Sequence, residues 1–157
     1  MLESFLANYP GPFWTDAVRS EILENIGDEP CNEILAASFL GTPVVVGTGD
    51  LLDVFRIQVA LGGSAKDPKQ HLGEAECIAL ADKDHGGIIT DDNAAYDFVE
   101  RRLGTNRVID TIEVLRASVA NGDIEPSQAQ QIADAVRNSG RSLRREHPTT
   151  LTAEYFR

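Results

Sequence analysis

Between Gly73 and Asp92 the chain places Gly73-Glu74-Ala75-Glu76 at the opening of a helix and Thr90-Asp91-Asp92 at the close of an apolar strand, Gly87-Ile88-Ile89. A strand delivers its last side chains to the C-terminal edge of a sheet, where ligands and catalytic groups of open α/β folds sit. Glu74, Glu76, Asp91 and Asp92 aimed at one edge suit a hard divalent cation, Mg²⁺ or Mn²⁺, which takes few protein carboxylates, keeps waters and bridges to phosphates. The chemistry this points to is metal-assisted phosphodiester hydrolysis. A plainer role is also open, because acids in the first turn of a helix complement its dipole and an Asp after a strand caps the next helix.

The elements that must position these groups are read from periodicity and punctuation. Phe13-Trp14 reads as a short strand, with Thr15 capping a helix through Val18, Glu21, Ile22 and Leu23. A helix is expected over Asn32 to Leu40, a buried strand over the β-branched run Pro43-Val44-Val45-Val46, and a helix over Leu51 to Leu61. Gly62 to His71 reads as a loop, and the acidic helix runs from Gly73 to about Lys83, stopped by Asp84-His85-Gly86-Gly87. Helices follow over Asn93 to Leu103, Ile112 to Ala120 and Pro126 to Asn138. A strand Asn106 to Asp110 lies between the first two, its end carrying Thr111 as a cap. Strands alternating with helices over short connections imply βαβ units, so the expected class is α/β, a three-layer α/β/α sandwich on a central, mainly parallel sheet. Residues 1–146 are expected to form one domain, with 147–157 as a loosely ordered C-terminal tail.

Size and charge narrow the function. At 157 residues the chain can bury a full core without staples. Two cysteines, Cys31 and Cys77, lie outside any Cys-x-x-Cys pattern, which argues against a zinc knuckle or disulfide framework and for a reducing, cytoplasmic setting. Cys77 has no histidine near it in sequence, so a small buried cysteine is preferred to a nucleophile. No basic leader precedes an apolar run and nowhere do eighteen uncharged apolar residues follow one another, so neither secretion nor membrane insertion is expected. A net charge of −11 argues against a general electrostatic grip on nucleic acid. Eight arginines, Arg101, Arg102, Arg107, Arg116, Arg137, Arg141, Arg144 and Arg145, nevertheless gather in the C-terminal part and could form a basic flank for phosphate or a partner.

Other motifs fall away. Gly47-Thr48-Gly49 lacks the third glycine of a dinucleotide fingerprint, with Leu52 in its place, and reads as a turn. No Gly-x-Ser-x-Gly elbow occurs, and His71, His85 and His147 show no metal-ligand spacing. A metal-dependent phosphatase would use the same carboxylates but add a nucleophile or a lysine near the phosphate, and none is evident.

Gly73-Glu74-Ala75-Glu76-Cys77-Ile78-Ala79-Leu80-Ala81 and Ile88-Ile89-Thr90-Asp91-Asp92 together resemble two acidic motifs of the PIN-domain nucleases, in the branch of VapC-like toxin ribonucleases. Trp14-Thr15-Asp16-Ala17-Val18-Arg19-Ser20-Glu21-Ile22 looks like that family's glutamate-bearing helix, and Val108 to Leu115 like its next strand and helix, with Asp110 where a glycine is usual. The resemblance covers most of the chain. It implies a PIN-like fold in which Glu21, Glu74 and Asp92 are the catalytic carboxylates holding Mg²⁺ or Mn²⁺. Glu76 and Asp91 would add to the metal set, while Thr90, Arg101 and Arg102 would meet the RNA substrate. It further implies RNA cleavage, an antitoxin protein as partner and homodimerisation. The family's first strand, which ends in an aspartate, has no counterpart here, since Leu2 to Leu6 looks like the end of the family's first helix. The expectation is therefore either a start further upstream or a non-catalytic PIN-like module acting through protein binding. Asp110 would either join the site or cap its helix.

Overall fold

A computed structural model describes residues 2–9, 11–24 and 40–157. It is a mixed α/β chain, mostly helical, with a small two-stranded parallel sheet among the described residues. In chain order the helices are α1 (Leu2–Leu6), α2 (Asp16–Glu24), α3 (Leu51–Ala60) and α4 (Leu72–Asp84), then α5 (Asn93–Leu103), α6 (Thr111–Ala120) and α7 (Pro126–Asn138). The strands are β1 (Ile88–Ile89) and β2 (Val108–Ile109), and short 3₁₀ turns occupy Thr105–Arg107 and Ala153–Phe156. The expected helix over 32–40 lies almost wholly outside the described residues, as does Cys31. The chain divides into a central unit, Gly11–Ile88, and a terminal unit formed by Met1–Pro10 with Ile89–Arg157.

In the central unit α4 packs on both α2 and α3. Ala75, Ile78 and Ala81 are fully buried, and small residues at this spacing let neighbouring backbones approach closely. Lys83 in the last turn of α4 reaches Asp50 at the N-cap of α3 at 3.2 Å, each charge opposing the partial charge of its own helix end. Thr15 does cap α2, its hydroxyl accepting from the Val18 N–H at 3.4 Å. The expected buried strand Pro43–Val46 is corrected to a single parallel bridge, Thr15 with Val44, and Val45 is 76% exposed. The reason lies in the partner: Val44 donates to Trp14 O and accepts from Asp16 N, but Asp16 already opens α2, so the ladder has nothing to extend along.

In the terminal unit the core gathers Ile112 and Leu115 of α6, Ala129 and Ala133 of α7, and Leu143, Leu151 and Phe156 of the C-terminal segment. That segment was expected to be loose, yet Leu151 and Phe156 are each 1% exposed. Two apolar side chains of that size fill the space beside α6 and α7, and their burial outweighs the ordering cost of a short 3₁₀ turn. Arg137 fastens the same segment by donating to the carbonyls of Pro148 at 2.5 Å and Thr149 at 2.8 Å. The strand expected over Asn106 to Asp110 is shorter, because Thr105–Arg107 winds into a 3₁₀ turn and leaves Val108–Ile109. The cap of α6 is Asp110 rather than Thr111. Asp110 accepts from the Glu113 N–H at 2.9 Å while Glu113 accepts from the Asp110 N–H at 3.0 Å, a reciprocal capping box.

Candidate functional site

Two groups of predicted residues are brought together locally, one in each unit. In the central unit the first turn of α4 carries Gly73 and Glu74, with Glu76 and Cys77 half a turn and more beyond. His71, the residue before α4, takes a left-handed backbone (φ 58°) and offers the helix no side-chain cap. The Glu21 carboxylate of α2 takes that place by accepting from the Gly73 N–H. Glu21 as a residue is exposed, but its carboxyl end lies against the opening of α4. Burial of that end raises its pKa above the usual 4.5 first of all, the Glu74 charge raises it further, and the Gly73 hydrogen bond works in the opposite direction.

Glu76 points to the other end of the same contact. Its Oε2 accepts from Ala17 N at 3.3 Å, in the first turn of α2, so its carboxylate complements that helix N-terminus. Cys77 sits beside it, with Sγ 4.0 Å from Thr15 Oγ1, and burial pushes its thiol up to about 11. A thiol so protonated is a poor nucleophile at neutral pH, in keeping with the packing role.

In the terminal unit, Thr90, Asp91 and Asp92 follow β1 as expected. Each is engaged in local structure. Asp92 is the N-cap of α5, its Oδ1 accepting from Ala95 N at 2.7 Å. Thr90 Oγ1 accepts from Asp92 N at 3.2 Å, which fixes the turn between strand and helix. Asp91 reaches across to the start of α6, accepting from Thr111 N at 3.1 Å and Thr111 Oγ1 at 2.5 Å. Arg101 and Arg102 are exposed in the last turn of α5, Arg102 lying 5.9 Å from the Phe98 ring centroid. Within neither unit taken by itself, among the described residues, do three His, Cys, Asp or Glu side chains bring ligand atoms within 4.8 Å of one another.

Sequence reasoning found Asp110 but not its surroundings. This carboxylate is 1% exposed and its Oδ2 lies 2.6 Å from His147 Nε2, while His147 Nδ1 lies 3.1 Å from the Tyr155 hydroxyl. Beside this chain is a cavity of about 320 Å³ whose lining includes Tyr96, Glu113, Arg116, Arg144 and Glu146. Arg144 lies 3.2 Å over the Tyr96 ring and pairs with Asp97 at 3.5 Å and Glu146 at 2.5 Å. Nothing in the local sequence marks this network, because Asp110 and His147 stand 37 residues apart and meet only in the fold.

At the opening of α4 the donors are the carboxylate oxygens of Glu21 and Glu74 together with a ring nitrogen of His71, which lies within 4.8 Å of a Glu74 oxygen. Comparison with protein-family models, with curated proteins and with solved structures finds no match to this chain.

Proposed function

We propose that the chain is a metal-dependent endoribonuclease of the PIN-like, VapC-like type, folded as a three-layer α/β/α sandwich in which β1 and β2 belong to a central sheet. The observation that carries the reading is the meeting of two carboxylates at the opening of α4. Glu21 is drawn against the first turn and Glu74 is near enough to raise it, an electrostatic cost that a bound cation would relieve. Glu21, Glu74 and Asp92 would hold Mg²⁺ or Mn²⁺, with Glu76 and Asp91 as neighbours. A bound metal of this kind supplies an activated water and steadies the charge on the scissile phosphate. The Thr90 hydroxyl, already accepting from Asp92 N, keeps its proton free to donate to a phosphate oxygen. Arg101 and Arg102, exposed at the end of α5, would meet the RNA backbone. The setting would be the cytoplasm, as the toxin of a toxin-antitoxin pair with an antitoxin protein and a second copy of the chain as partners. Among the described residues no helix is long and apolar enough to cross a membrane.

A second reading is favoured by the same carboxylates' local duties. Asp91, Asp92 and Glu76 each accept from a backbone N–H at the start of a helix, as they would in a PIN-like module that keeps the fold without the chemistry and acts through protein binding. Thermal melts with and without millimolar Mn²⁺, paired with an RNA cleavage assay, separate the two. The nuclease reading expects Mn²⁺ to raise the melting temperature and support cleavage, with both effects lost in Glu74→Gln and Asp92→Asn. No metal-dependent shift in the unmodified chain would overturn it.

A further inference from the structure

Gly73 stands in the first turn of α4 with an ordinary helical backbone, so no left-handed conformation calls for a glycine there. Its neighbours do. A Cβ at this position would lie 2.9 Å from Glu21 Oε1, 3.4 Å from Glu21 Cδ and 3.1 Å from Val18 Cγ2. The hydrogen-only α-carbon thus leaves the space in which the Glu21 carboxylate rests, and the Gly73 N–H donates to that carboxylate. The first N–H groups of a helix have no intrahelical partner and carry partial positive charge, so they hold a carboxylate well. His71 supplies no side-chain cap here, which leaves the place to Glu21.

We infer that Gly73 is the positioning residue for Glu21, clearing the space for its carboxylate and fixing it against the opening turn of α4 beside Glu74. The consequence for metal binding rests on the nuclease reading above; the positioning itself does not. The closest clash, 2.9 Å, is with the far end of a flexible side chain, so in Gly73→Ala the Glu21 side chain swings away and the helix survives. Partners that orient a metal ligand typically cost about 10- to 100-fold in metal affinity when removed, and Gly73→Ala is expected to weaken Mn²⁺ binding by that amount.

The full chain is compared as wild type, Glu21→Gln and Gly73→Ala by NMR, and its Mn²⁺ affinity is measured in parallel. Glu21→Gln should move the Gly73 amide proton upfield, because a charged acceptor is replaced by a neutral one. Gly73→Ala should move the Glu21 side-chain carboxyl carbon toward the signal of a freely solvated glutamate. A Gly73 amide unmoved in Glu21→Gln, or a Glu21 carboxyl signal unmoved in Gly73→Ala, overturns the positioning role; unchanged Mn²⁺ affinity in Gly73→Ala with the Glu21 signal moved overturns its consequence for metal binding. Should the wild type bind no Mn²⁺, the nuclease reading fails, and the two NMR comparisons alone decide the role of Gly73. Glu21→Gln keeps the test open even where Gly73→Ala does not fold, since it places no new atoms beside Val18.

Discussion

On the nuclease reading, Asp92 would carry two demands that one substitution can separate. As N-cap of α5 it satisfies the Ala95 N–H, and its loss to alanine should cost about 1 kcal/mol. Serine caps nearly as well but is no carboxylate, so Asp92→Ser should melt like the wild type in EDTA and lose the Mn²⁺-dependent rise that the nuclease reading expects. A retained rise would remove Asp92 from the metal set. Glu21 makes a prediction in pH. Its folded pKa lies above the unfolded value, so the native state holds its proton more tightly, and the stability this gives is full below about pH 4.5 and drains away as pH rises through the folded value. In EDTA, Glu21→Gln should therefore gain on the wild type between about pH 4.5 and neutrality, as read by urea unfolding. A constant difference across that range would contradict it. Cys77, raised to about 11, should resist alkylation at pH 8 in the native chain and react only on unfolding, as peptide mapping would show.

Among the elements, what could be read from sequence is what local chemistry decides. The helices Asn93–Leu103 and Pro126–Asn138 match their expected bounds because a cap at one end and a stop at the other are written within the segment. Val44 to Val46 misled for the converse reason: a β-branched run becomes a strand only along a partner, and the partner turns into α2 at Asp16. The pairing of Asp91 with Thr111 and the clearance at Gly73 depend on packing between distant segments, so they were illegible, although the acids themselves stood out by type and spacing. The C-terminal segment shows no helical or strand period, yet its side chains complete the core of the terminal unit. Phe156→Ala should accordingly cost about 3 to 5 kcal/mol in urea unfolding, a large share of the stability of a chain this size. A loss under about 1 kcal/mol would show the segment to be dispensable, as a loose tail would be.

For the whole molecule, on the nuclease reading, charge would set how RNA is met. A net charge of −11 repels a polyanion, and four of the C-terminal arginines already have partners within the fold. Arg116 donates to Tyr155 O at 3.0 Å, Arg137 to the carbonyls of Pro148 and Thr149, and Arg144 and Arg145 are paired with Asp97 and Glu146. On the nuclease reading, Arg101 and Arg102 at the exposed end of α5 would be contacts with the RNA backbone. Each phosphate neutralised on a single strand contributes roughly −0.7 to the slope of log affinity against log salt, so two contacts predict a slope of roughly −1.4. Binding of a single-stranded RNA, measured by anisotropy at constant Mn²⁺ over a series of salt concentrations, should show that shallow dependence, and the Arg101→Ala, Arg102→Ala double variant should flatten it further. A slope steeper than about −4 would require more cationic contacts than these two arginines supply, and would overturn their assignment as the principal RNA contacts.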